Sequence, residues 1–416
     1  MSTTVTAVPD WRVPALDGLR GWLALVVLCR HGLTALYPAV NGTGPEHFGF
    51  DRLVDRSPAA VLLAADFAVR IFFVHSGFVL ALKFFRTGDR RWPASMLVRR
   101  AIRLGVPILA AVMVGYLLLQ WLPTDAAAMT QATGARQRTF DPGFGDAARD
   151  GLYGAMLLGR DNVPGAWWTM PIELYCSLWL LASLAVFGGL PRRRLSMLAA
   201  AYVAAVVLAA IAWADIPGID YGDLWGFAKR LAIFSSAFVA GAVLAARWSA
   251  RPAHALFPAA PRGVRGVITL LCVGVGVFPT VVRPFTFGRG ALLQLASIVA
   301  AAGVAAWDLS SPRTRSVLER PLSRWLGRLS FAVYLLHLAV QRTIMNSVFL
   351  ALLDRDLPYN AAAPLAFGIG LAATFGIAHV LFGSIDRFAL TFGKSWIQRR
   401  LGLHPAQPAL GSPSIS

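Results

Sequence analysis

Arg20 and His31 stand eleven positions apart within one continuous apolar stretch. At about 100° per residue, that separation closes to within about 20° of whole helical turns. On a helix both side chains therefore share one flank, about 16 Å apart along the axis. A neutral imidazole takes a proton from a hydroxyl near neutral pH, and an arginine holds an anionic group or the charge that develops on one. The pair reads as a general base at depth with a cationic partner nearer the helix start. Further ionisable residues interrupt apolar stretches: Asp17 and Arg30 in the first, Asp66, Arg70 and His75 in the second, then Glu173, His337 and Arg342. A charged group at membrane depth costs about 2.5–3.5 kcal/mol on insertion scales, so it needs a partner, water or a task. The helices that carry them are expected to face one another around a wet cavity.

Each of these residues has a structural reading beside the chemical one. Asp66 and Arg70, four apart, are placed for an intrahelical ion pair. His75 precedes Ser76 and Gly77, small residues that let helices approach closely, so it either lines the cavity or packs. Arg99, Arg100 and Arg103 form a basic cluster before the third apolar stretch. Guanidinium groups suit bidentate phosphate binding, although such a cluster also serves as a topology or headgroup signal. Glu173 follows Trp167 and Trp168, which read as an interfacial belt. Its carboxylate either orients a histidine, binds an acceptor hydroxyl or bonds between helices. His337, in Tyr334-Leu335-Leu336-His337, carries the same alternatives, and His379 reads as structural.

The elements that must position these groups are membrane helices. The 416 residues are 56% hydrophobic and only 14% charged, against about 25% in soluble domains. Ten segments are long and apolar enough to span a bilayer. They are 16–38, 59–82, 104–122, 166–189, 195–214, 225–246, 266–282, 290–307, 329–352 and 361–384. The fold class is thus all-α, a polytopic transmembrane bundle of about ten spans. With the N-terminus cytoplasmic, about 24 Lys and Arg fall inside and about 9 outside. An even span count also puts both termini on that side. The organisation is a cytoplasmic segment 1–15, a membrane domain 16–387 and a cytoplasmic, partly disordered tail 388–416. Residues 1–15 hold no apolar core, so the first span is expected to act as the insertion signal. The loop 123–165 either forms an acceptor-facing surface or is a plain connector.

The net charge of +18 lies in short runs between apolar stretches, so it marks membrane topology and not nucleic-acid binding. Cys29, Cys176 and Cys272 each sit in apolar surroundings without ligand spacing. Buried thiols are expected, with no metal site and no disulfide. A multi-pass transporter of a glycan precursor or small organic acid is the competing class, although no repeated halves are visible.

Five segments carry a resemblance: Leu16-Asp17-Gly18-Leu19-Arg20-Gly21-Trp22-Leu23-Ala24 through His31; Phe72-Phe73-Val74-His75-Ser76-Gly77-Phe78; Arg100-Ala101-Ile102-Arg103; Trp168-Thr169-Met170-Pro171-Ile172-Glu173-Leu174-Tyr175; and Leu326-Gly327-Arg328-Leu329-Ser330-Phe331-Ala332-Val333-Tyr334-Leu335-Leu336-His337. In this order, across about residues 12–387, they resemble the membrane acyltransferase-3 family of O-acyltransferases. The resemblance implies a multi-pass protein of the bacterial inner (plasma) membrane. It implies acetyl-CoA or another acyl-CoA as cytoplasmic donor, and a cell-envelope glycan or glycolipid as acceptor. The transfer would be O-acetylation of a polysaccharide hydroxyl, with no metal. His31 matches the family's essential histidine and Arg20 its partner. Arg100 and Arg103, with Arg99 beside them, match the cluster that holds the CoA phosphates. Glu173 and His337 would orient His31 or the acceptor, and Trp168, His75, Ser76 and Tyr334 would line the substrate path. Arg70 and His75 depart from the family pattern, where an acidic residue and Leu or Ile are common, and this leaves the acceptor open. A homo-oligomer is compatible with all of this.

Overall fold

The computed structural model describes residues 13–49, 51–55, 57–123, 125–212, 224–250 and 290–401. It is a bundle of long helices, with no strand among the described residues. Among the described residues its main helices are α1 (Pro14–Leu36), α2 (Ala65–Thr87), α3 (Arg91–Trp121), α4 (Thr169–Phe187), α5 (Arg192–Ala212), α6 (Leu224–Ala250), α7 (Gly290–Ser310), α8 (Pro321–Val340), α9 (Asn346–Leu353) and α10 (Tyr359–Leu401). Among the described residues, eight helical stretches are long and apolar enough to cross a membrane. They correspond to eight of the predicted spans. The span at 195–214 is helical as α5, and the span at 266–282 lies outside the described residues, as does Cys272. α10 runs on to Leu401, so the first part of the predicted tail is helix, and the rest of that tail lies outside the described residues.

Local chemistry sets the helix ends. Pro14 occupies the first turn of α1, where its missing N–H costs nothing, and Asp17 faces the positive end of the dipole. Gly88 closes α2 in the left-handed conformation at φ +65°, its N–H donating to the Phe84 carbonyl at 2.8 Å.

Glycines decide which helices meet. α2 and α6 lie antiparallel in backbone contact. A Cβ added at Gly77 would stand 2.2 Å from the Phe238 carbonyl oxygen, and one at Gly241 2.0 Å from that of Val74. α1 and α8 make the second such contact, and they run parallel. A Cβ at Gly21 would stand 2.5 Å from the Gly327 nitrogen, and one at Gly327 2.3 Å from the Asp17 carbonyl oxygen. The Trp22 indole N–H donates to Ser323 Oγ at 3.1 Å beside this crossing, and Gln341 Nε2 donates to the Leu28 carbonyl at 2.9 Å further up. Between parallel helices a register set at one point holds along their length. Ten residues beyond Gly21 is His31, and ten beyond Gly327 is His337.

The connection after α3 does not stay at the bundle rim. It folds back as short helices Ala126–Thr133 and Phe144–Arg149, then a π-helical turn Asp150–Leu158, before α4 begins. Gly151 packs on Leu109 of α3, and Val163 on Gly115. Asp150 is fully buried and accepts from the Asn162 backbone N–H at 3.0 Å and from its Nδ2 at 3.1 Å. Trp167 is buried, with its indole N–H bonded to the Val163 carbonyl at 2.8 Å. This corrects the expectation of an interfacial belt for Trp167, while Trp168 is exposed. The segment re-enters the bundle because its carboxylate and indole find partners within the segment itself.

Gly21→Ala forces backbone apart at the α1–α8 crossing. It is expected to cost about 1–3 kcal/mol, as overpacking does, and to lower the melting temperature in detergent by several degrees. Gly376→Ala on α10, with nothing within 4 Å of an added Cβ, is the matched control and should leave the melt unchanged.

Candidate active site

Two imidazoles meet where the α1–α8 register places them. The rings of His31 and His337 stand 5.3 Å apart, centroid to centroid, tilted by 37°. His337 is fully buried, and its Nδ1–H donates to the Tyr334 carbonyl at 2.8 Å. A carbonyl only accepts, so this bond fixes the neutral tautomer and leaves Nε2 with its lone pair. Nε2 has no partner within the protein. His31 differs: its ring is exposed into a cavity of about 330 Å³. One histidine is thus dry and fixed, and the other is open to whatever enters.

The cavity is built at the C-terminal ends of α1 and α8. Its walls include Thr34 from α1, Thr43 and Gly44 beyond it, Arg136 and Gln137 from the α3–α4 connection, and Gln341, Arg342 and Asn346. Residues Gln341–Met345 form a π-helical turn between α8 and α9. Such turns break the regular ladder and are common at functional sites. The outer wall is pinned by His47. Its ring stacks on Tyr359 at 4.0 Å, and its Nε2 lies 3.0 Å from the Thr133 carbonyl, to which it donates. The loop 123–165 therefore contributes part of the cavity wall through Gly134, Ala135, Arg136 and Gln137. Gln341 and Asn346 were not among the predicted site residues. Their signal was present as uncharged polar residues inside an apolar span.

Below the histidines, Tyr334 is buried. The Thr169 hydroxyl donates to the Ala166 carbonyl at 3.0 Å and so receives the Tyr334 O–H at 2.9 Å. This bond joins the start of α4 to α8 one turn beneath His337. Trp168 turns the other way, against Phe234 and beneath the Arg230 guanidinium, 6.0 Å from its ring. Neither of these residues lines the cavity. His75 is buried on α2 and Ser76 is half-buried beside it.

A second, cationic centre lies at the opposite end. Arg100 is buried, with its guanidinium on the Glu173 carboxylate and its Nε donating to Ser177 Oγ at 3.1 Å. Glu173 thus engages an arginine and not a histidine, and Arg100 turns inward while Arg103 is exposed and Arg99 half-exposed. The charges of Arg103 and Arg20 both act on Arg100, and that of Arg20 also reaches His75. Arg100 sits fifteen residues before Gly115, which packs beside Ala339, and Glu173 one turn beyond Thr169, so this centre is set toward the N-terminal ends of α1 and α8 from the histidine level. α1 connects the two centres, with Arg20 at the basic end and His31 in the cavity.

The predicted residues are therefore sorted into a histidine pair with its cavity, a basic centre, and a buried strut between them. A family model described as an acyltransferase domain matches residues 13–382. The chain belongs to the acyltransferase-3 family. No curated protein matches it, and no solved structure does. Membership makes this an integral membrane protein of an acyltransferase family, with both centres inside the matched region, and it removes the support for a transporter without chemistry.

The Glu173 and Arg100 side chains keep 14% and 10% of their exposure. Removing one partner of a buried pair typically costs about 3–5 kcal/mol, because the other charge is left uncompensated. Glu173→Gln should therefore destabilise the acyltransferase strongly. Glu173→Gln with Arg100→Gln should recover a substantial part of that loss. Thermal melts of the single and double variants check this coupling.

Proposed function

We propose that this chain is an O-acyltransferase that moves an acetyl or other acyl group from cytoplasmic acyl-CoA to a hydroxyl of an extracytoplasmic glycan or glycolipid, in the bacterial inner membrane. The observation that carries the reading is His31 at the floor of a polar cavity, with its ring against the fixed imidazole of His337. The basic centre, set toward the N-terminal end of α1 from the histidine level, suits a donor with phosphates at one end and a thioester at the other.

Arg103 and Arg99 take the donor phosphates, and Arg100 braces that face from within through Glu173. Arg20 completes the positive field. The pantetheine arm runs along α1 toward the histidines. There His31 takes the proton of the acceptor hydroxyl as its oxygen attacks the thioester carbonyl. The C–S bond breaks, and the departing thiolate takes the proton from His31. Arg20 lies about three turns from His31, so it acts on the donor and not on the reacting carbonyl. His337 holds His31 in place, its Nε2 lone pair accepting a hydrogen bond from the His31 ring N–H while the proton itself passes from the hydroxyl through His31 to the thiolate. Tyr334 and Thr169 support that level, while His75, Ser76 and Trp168 border the interior path.

A general base contributes about 10²–10⁴-fold. His31→Ala is expected to lower acceptor-dependent thiol release from acetyl-CoA by that factor, with protein still folded in the membrane. Turnover within a few-fold of the parent would remove His31 from the mechanism. Arg103→Ala should raise the donor KM about tenfold with kcat little changed, the loss of one charge-assisted phosphate contact. Initial rates against acetyl-CoA concentration distinguish this from a topology role, in which KM would not move.

A further inference from the structure

One dipeptide pattern repeats along α1. Arg20 is followed by Gly21, and His31 by Gly32. The two glycines are eleven residues apart, so they share one flank to within about 20°. Each functional side chain lies about 100° round from its glycine. Gly21 seats the α1–α8 crossing. Gly32 makes a second seat, about three turns higher. A Cβ there would stand 2.7 Å from the Phe367 ring and 3.0 Å from Gln341 Nε2. Phe367 belongs to α10, and Gln341 is the first residue beyond α8. Both elements therefore press on the residue next to His31.

Gln341 is the polar half of this seat. It is 3% exposed, stands four residues beyond His337 and opens the π-helical turn. Its side chain leans back toward the helix start, as helical side chains do. Its Nε2 donates to the Leu28 carbonyl at 2.9 Å. Leu28 lies one turn before Gly32, so the bond and the notch bracket His31 in the chain. A carbonyl has two lone pairs, and that of Leu28 keeps its place in the α1 ladder beside the amide. The helix does not need this second bond to form. What the bond adds is direction, because it ties the roll of α1 about its axis to the element that carries His337.

The roll matters because side chains reach about 5–6 Å from a helix axis. A roll of about 10° then carries the His31 ring about 1 Å sideways. A displacement of that size at a reacting group costs about 10²-fold in rate. The Gly21 crossing sets the height of the imidazole but lies about 15 Å below it. We propose that Gln341 is a positioning residue for His31: its bond to the Leu28 carbonyl, made across the Gly32 notch, sets the angle at which the imidazole meets His337 and the cavity. This rests on the proposed function for the role of His31.

The test uses the full chain in the membranes that hold it, which supply the acceptor, and reads thiol release from acetyl-CoA. Gln341→Met keeps the side-chain length and removes the donor. It is expected to lower kcat about 10- to 100-fold, with the acetyl-CoA KM little changed. Added to His31→Ala, it should cause no further loss. A second readout is geometric and needs no turnover. In a background free of native cysteines, His31→Cys with His337→Cys reports the angle at the imidazoles, and Trp22→Cys with Ser323→Cys reports the Gly21 crossing. Gln341→Met should slow cross-linking of the first pair several-fold and leave the second pair unmoved, whereas a general loss of structure slows both. If Gln341→Met is not recovered in the membrane, Gln341→Asn, whose donor is one methylene too short, is read against the same outcomes. A kcat within about twofold of the parent, an unchanged 31–337 rate, or equal slowing of both pairs would overturn the proposal and leave the proposed function standing. Normal turnover by His31→Ala would instead remove the proposed function, and with it the catalytic role of Gln341.

Discussion

Close packing of α1 against α8 at Gly21 and Gly327 is the constraint on which the rest depends. No other residue type fits there, because even one Cβ would overlap backbone of the facing helix. The contact does more than join two helices. It fixes a parallel register, and each helix carries a histidine ten residues beyond its glycine. At 1.5 Å per residue both rings then rise about 15 Å to one level. A slip of one turn would carry His31 past His337 and away from the cavity floor.

From that pair the molecule extends in two chemically different directions. Toward the C-terminal ends of α1 and α8, a π-helical turn and two connecting segments make a polar cavity. Toward the N-terminal end of α1, arginines gather around a buried carboxylate. The returning segment before α4 ties these regions together, since Thr169 bonds Tyr334 near the histidines and Glu173 bonds Arg100 below. Glu173 is a positioning residue in this arrangement. Its charge holds Arg100 inward, so the exposed face of the basic centre belongs to Arg103 and the half-exposed Arg99. In the function proposed above the two directions share a purpose, the approach of a donor and an acceptor from opposite sides.

Much of the bundle was legible in the sequence because hydropathy reports bilayer thickness directly. Arg20 and His31 could be placed on one flank from their spacing alone. Partner choice was less legible. Glu173 was as compatible with a histidine as with an arginine, since nothing in the chain reveals that the α3–α4 connection dives back into the bundle. Trp167 looked interfacial for the same reason. Gln341 and Asn346 escaped because attention to ionisable groups passes over amides, although a buried amide also needs partners. The tyrosine beside His337 looked like a substrate contact, whereas its hydroxyl is bonded to Thr169.

The most direct test of the central claim is the register itself. In a background free of native cysteines, His31→Cys is paired in turn with His337→Cys and with Val333→Cys, one turn lower. Each pair is treated in membranes with a short bifunctional thiol reagent. Rapid cross-linking of the 31–337 pair, with little at 31–333, is the predicted result. Preferential reaction of the 31–333 pair, or none with either despite both thiols being labelled singly, would contradict the account.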